Sequence, residues 1–124
     1  MTSPTSSPTT AHRWYTRPVL FVADAQRAAR FYVEQLGFTK GWHADDGAGP
    51  VCQVNHGECE VILCEDAARS GHGRLYIELT SEALTVLQGE LAARGVASSE
   101  ISWGNDVTRI VDVDGNELFF PHSE

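Results

Sequence analysis

An internal repeat limits the fold of this chain more than any other feature. An apolar, β-branched run over residues 17–23 leads into a helical segment from about Ala25 to Gln35. Asp24 stands where a helix N-cap belongs, and Gly37 where a helix stops. Ala28, Phe31, Tyr32 and Leu36 recur at helical spacing and mark the buried face. Three extended stretches follow, at 38–43, 50–54 and 58–63, with turns at 44–49 and 55–57. The same order then restarts. Residues 74–79 read as a strand, Ser81 as an N-cap, and 82–94 as a helix with Leu84, Leu87 and Leu91 inward. Gly95 ends that helix, and Val96 leads into extended chain. After a turn at Trp103-Gly104-Asn105-Asp106, a strand over 107–113 enters the closing hairpin at Asp114-Gly115-Asn116. Arg17 matches Arg74, Asp24 matches Ser81, Leu36-Gly37-Phe38 matches Arg94-Gly95-Val96, and Gly57 matches Gly115, always at an offset of 57 or 58 residues.

A repeated β-α-β-β-β unit of about 55 residues implies an α+β fold of two modules joined through their sheets. One helix covers one face of a sheet. The other face must meet the second module, a partner chain or a ligand.

Composition narrows the setting. The 124 residues form one domain, in which 42% apolar content supports a folded core. The domain is expected over 13–124, with modules at about 13–66 and 73–122 and a linker at 65–73. No apolar run approaches the ~20 residues of a membrane helix. Residues 1–12 are rich in Ser, Thr and Pro and lack a signal-peptide core, so they read as a disordered tail on a cytoplasmic protein, or as a cloning remnant. The odd set Cys52, Cys59 and Cys64, outside any zinc-knuckle spacing, reads as reduced structural thiols. A net charge of −8 disfavours nucleic acid, whose phosphates require Lys and Arg, and suits a cationic small molecule.

Phe31-Tyr32, Leu36-Gly37-Phe38 and Asp112-Val113-Asp114-Gly115-Asn116, combined with the repeat, give the chain a likeness over about 15–122. It resembles the vicinal oxygen chelate superfamily, which includes glyoxalase I, extradiol dioxygenases, fosfomycin-modifying enzymes and bleomycin-resistance proteins. Trp103-Gly104 is similar to the Trp-Gly pair of the bleomycin-resistance members. The resemblance implies paired, concave mixed sheets that form a groove. In the enzymes of the group it implies a divalent metal, held from the first and last strands of each module. The corresponding places here are Arg17, Val61, Arg74 and Phe119. Metal sites need imidazole or carboxylate, and a guanidinium does not deprotonate to serve. The expectation is therefore no metal, no cofactor and no catalytic residue.

Ligand-binding candidates follow from the same placement. Trp42, Trp103 and Phe119 are expected to wall the groove, since flat rings stack on aromatic faces and cations sit on them. Each is also compatible with plain core packing. Of His12, His43, His56, His72 and His122, only His43 is read as facing the groove. Glu78 shares a face with Arg74 and Tyr76 by alternation. It is either a solvated carboxylate or a groove carboxylate that meets a cation or Arg74.

Three functions compete. The first is a metal-independent protein that sequesters a cationic or aromatic antibiotic-like molecule. The second is a metal-dependent lyase, isomerase or dioxygenase of the glyoxalase type. The third is a binder of some other metabolite. The resemblance further implies a homodimer with the groove at its interface, the modules either exchanged between chains or closed within each one.

Overall fold

The computed structural model describes residues 14–45, 47 and 49–122, so the 1–12 tail lies outside the described residues. The first module runs β1 (Val19–Val22), α1 (Ala25–Arg30), β2 (Thr39–Asp45), β3 (Pro50–His56) and β4 (Cys59–Glu65). The second runs β5 (Arg74–Tyr76), α2 (Ser81–Arg94), β6 (Ser99–Ser102), β7 (Asp106–Val111) and β8 (Glu117–Pro121). Each forms a four-stranded mixed sheet, ordered β1-β4-β3-β2 and β5-β8-β7-β6. The first strand of each module pairs parallel with its last, and the other pairs are antiparallel. The α+β, two-module expectation holds.

Local chemistry sets the element ends. The Asp24 carboxylate accepts the Arg27 N–H, as an N-cap should. The predicted continuous helix to Gln35 instead widens into a π-helical turn over Phe31–Gln35. The second helix is capped by Thr80, whose hydroxyl accepts the Ala83 N–H, and not by Ser81, which lies inside the helix. Gly95 closes that helix at φ +69°. The strand expected over 74–79 ends at Tyr76, beyond which only the Ile77 N–H still bonds to β8, through Phe119 O.

One core serves both modules. Leu20, Val22, Ala28, Tyr32, Val61 and Leu63 from the first join Leu84, Leu91, Ile110, Leu118 and Phe120 from the second. The strand residues among them point to the helix side of each sheet, so the other face carries no helix.

The predicted linker is docked chain. A 3-10 turn spans Ala67–Arg69, the Gly71 N–H donates to Phe21 O, and the Gly73 N–H donates to the Asn116 side chain. The turn between β7 and β8 completes the joint between modules. Tyr32 donates its buried hydroxyl to Asp112 at 2.8 Å, and burial, then Asp112, push that phenol's pKa far up. Ala23 N–H donates to Asp114 Oδ1, and Arg27 donates to Val113 O.

Candidate functional site

Side chains alternate along a strand, so register decides which residues share the open faces. In the second module Arg74 lies opposite Glu117 and Tyr76 opposite Phe119, with Arg109 beside Phe119 on β7. Trp103, in the turn after β6, leans over this row. Its ring meets Phe119 edge-on at 5.3 Å and Tyr76 at 5.5 Å. Trp103 is 48% exposed and Tyr76 44%, whereas Phe119 beneath them is 1% exposed. The Arg74 guanidinium lies 4.5 Å from the Phe119 ring centre.

Glu117 holds that guanidinium in place. Its carboxylate takes Arg74 at 2.7 Å through one oxygen and Arg109 at 2.7 Å through the other. These two bonds hold the Glu117 carboxyl below the usual carboxylate range. A lowered folded pKa stabilises the fold above the unfolded value, and that contribution is lost as pH falls through the folded one. Glu117→Gln is therefore expected to flatten the acid side of the stability curve, below about pH 4. Urea midpoints of both proteins across that range check this, and parallel curves would assign the two ion pairs no share of stability.

The open face of the first module mixes Val19, Phe21, Val51 and Ile62 with a polar group around Gln53. Gln53, 6% exposed, accepts the Arg17 guanidinium at 2.8 Å and the Trp42 indole N–H at 2.9 Å on its carbonyl. Its amide donates to Asn55 Oδ1 at 2.8 Å. Tyr15 donates to Glu60, which raises the pKa of that phenol. Every Gln53 contact fixes which way its amide points, so Trp42 and Arg17 are held in position from below.

The predicted residues thus divide. Trp103 and Phe119 come together, with Arg74 and Tyr76. Trp42 lies on the open face of the other sheet. His43 is exposed and opposite Cys52, whose side chain belongs to the helix-facing core, so its register directs it away from the open face. Glu78 is exposed just past the end of β5, and Arg74 pairs with Glu117 instead. Val61 is corrected: it is fully buried in the helix-facing core, and Ile62, opposite Val19, is the counterpart of Phe119. Gln53, Asn55, Glu60, Arg109, Glu117 and Tyr15 were missed. The signal for two of them was present, since the 57-residue offset from Arg17 to Arg74 also separates Glu60 from Glu117.

A family model of the Glyoxalase/Bleomycin resistance protein/Dioxygenase superfamily matches residues 14–120. The chain belongs to that superfamily. No curated sequence matches it significantly, so structure carries the remaining comparisons. The bleomycin-binding protein of Streptomyces verticillus, solved with copper(II)-bleomycin, is similar at TM-score 0.72 and 20% identity, over 90% of this chain and 98% of that one. TnmS3, an antibiotic-binding protein of Streptomyces sp. CB03234, is similar at TM-score 0.71 and 21% identity, over 90% and 98%. The fosfomycin resistance protein FosX of Mesorhizobium loti is similar at 0.64 and 9% identity, over 90% and 92%. At such identities the likeness shows the fold.

The divalent metal of the superfamily's enzymes does not fit these residues. Arg17 and Arg74 stand at the first strands, Ile62 and Phe119 at the last. The nearby carboxylates of Glu117 and Glu60 are engaged by Arg74, Arg109 and Tyr15. Among the described residues no group of three His, Cys, Asp or Glu side chains is placed to hold a metal ion. No described helix is long and apolar enough to cross a membrane.

Proposed function

We propose that this superfamily member is a cytoplasmic, metal-independent binding protein that sequesters a flat aromatic, antibiotic-like molecule without making or breaking bonds. The observation that carries the reading is the Tyr76–Trp103–Phe119 cluster, flanked on the same face by the Arg74–Glu117 ion pair where the enzymes of the group need a metal. Trp103 and Tyr76 offer exposed ring faces on which a heteroaromatic ligand stacks. Glu78, exposed just past the end of β5, and the net charge of −8 favour a ligand with a cationic group. The structural likeness to bleomycin-binding and TnmS3-type proteins agrees with that class of ligand.

A single chain presents two separate half-walls, the aromatic face of β5–β8 and the mixed face of β1–β4 with Trp42 and Gln53. Val19, Trp42, Tyr76, Trp103 and Val111 remain exposed on or beside them. A homodimer that places the aromatic face of one copy against the mixed face of the other would turn them into one groove. Size-exclusion chromatography with light scattering should give twice 13.5 kDa at micromolar protein, and a 13.5 kDa particle would sink the shared groove.

The deciding experiment is a calorimetric titration of chelator-treated protein with metal-free bleomycin. Saturable binding near one ligand per chain is expected. Trp103→Ala should weaken it about 30-fold, the ~2 kcal/mol of a central aromatic anchor. No heat, and no thermal shift at an excess where a saturating ligand adds ~2–3 kcal/mol, would reject this ligand class and turn attention to other metabolites.

A further inference from the structure

A second cleft lies on the opposite side of the sheets. It opens between α2 and the start of β4, with a volume of about 370 Å³. Leu36, Phe38, Ile77, Leu79, Val86, Leu87 and Phe120 supply an apolar lining to which both modules contribute. Its parity separates it from the groove. Cys59, in the cleft, is opposite His56 and points with Val61 and Leu63 toward the helices, whereas Cys64 pairs with Phe21 and Val51 on the open face. Three polar side chains reach the cleft: His56, Cys59 and Glu90. The His56 ring packs edge-on against Phe38 at 5.3 Å. Glu90 is the one charged group in the lining, and Arg94 approaches it only to 3.8 Å, at the exposed end.

We propose that this cleft is a second small-molecule site, and that it takes a compact apolar amine whose ammonium group meets Glu90. The volume falls within the range of small-ligand pockets, and an apolar wall with a few orienting polar groups, of which Glu90 is the charged one here, is their usual make-up. Charge complementarity selects the amine: a carboxylate at the rim of a protein with net charge −8 repels an anionic ligand and attracts a cationic one. This inference does not depend on the groove, since no residue is shared with it.

The two cysteines make the test site-specific. Full-length protein is treated with iodoacetamide at about pH 8, where the added amine stays mostly protonated; burial pushes the Cys59 thiol up and slows its reaction, so alkylation of each cysteine is followed over an extended time course by mass spectrometry. Added 1-naphthylmethylamine should slow alkylation of Cys59 at least fivefold at saturation and leave Cys64 unchanged. Val86→Trp, at an exposed helix position lining the cleft, should abolish the protection without unfolding the protein. Glu90→Gln should weaken the amine about three- to fivefold, the size of an exposed ion pair, and leave the neutral 1-naphthylmethanol unaffected. Equal protection of Cys64, or none at Cys59 with millimolar amine, would overturn the site. Equal affinity for the amine and the alcohol would overturn the role of Glu90.

Discussion

Asn116→Ala is expected to destabilise the protein by about 3–5 kcal/mol, enough to leave a marginal domain largely unfolded. Asn116 is fully buried and uses its whole amide. Its carbonyl accepts the Gly73 N–H at 2.8 Å, and its NH₂ group donates to Phe21 O and Asp112 Oδ2, each at 3.1 Å. Those partners belong to the linker, to β1 and to the turn between β7 and β8. Truncation strands a donor and weakens two acceptors inside the core, and each such loss costs about 1–3 kcal/mol. Asn116→Asp sharpens the test. It keeps the acceptor for Gly73 but puts a second carboxylate against Asp112. A carboxyl so placed has a raised folded pKa, so its penalty is present above that value and relieved as pH falls below it. Urea unfolding at fixed protein concentration should rank wild type above both variants, with the aspartate variant recovering on acidification. A loss below about 1 kcal/mol for the alanine variant would remove Asn116 from its place as the joint between modules.

The same residues show how far the sequence could be read. The repeat was legible because each module needs the same cap, stop and strand chemistry at the same spacing, and topology follows from that order. Phe119 and Trp103 were singled out through the resemblance, as a last-strand position and as half of a Trp-Gly pair, and the structure brings their rings together. Val61 was misplaced for a physical reason. The β3–β4 hairpin leaves Gly57 and Glu58 between the paired His56 and Cys59, whereas the β7–β8 turn leaves residues 112–116 between Val111 and Glu117. The two glycines therefore do not occupy equivalent turn positions. Aligning them shifts the last strand by one residue, which moves a side chain to the other face. Gln53 was invisible for another reason. A polar residue in a strand carries no mark of burial, and its role depends on Arg17 and Trp42, which register alone brings above it. The cleft under α2 has no local sequence signal at all. Its lining comes from six elements and connecting segments, and only tertiary packing assembles it.

Gly71→Ala is expected to cost more than about 3 kcal/mol, while Gly57→Ala costs about 1. Both glycines have positive φ, +85° and +60°, so both alanines carry the left-handed backbone penalty. They differ in what the added methyl group meets. At Gly57 nothing lies within 4 Å of the Cβ position, so the penalty stands alone. At Gly71 the Cβ would sit 2.2 Å from the carbonyl oxygen of Asp114. That oxygen is backbone and has no rotamer by which to move aside. Relief requires the 112–116 turn to retreat from the linker, and the retreat pulls on the Asn116–Gly73 and Gly71–Phe21 hydrogen bonds together. The clash therefore falls on the joint that lets both modules share one core within a chain. Thermal unfolding of the two variants separates the terms, since a shared backbone penalty lowers both midpoints equally and the contact with Asp114 lowers only one. If Gly71→Ala proved no worse than Gly57→Ala, the linker would not be packed on that turn. The closure of the two modules within one chain would then rest on the shared apolar core and on the side-chain bonds that Tyr32, Ala23, Arg27 and Phe21 make with the 112–116 turn.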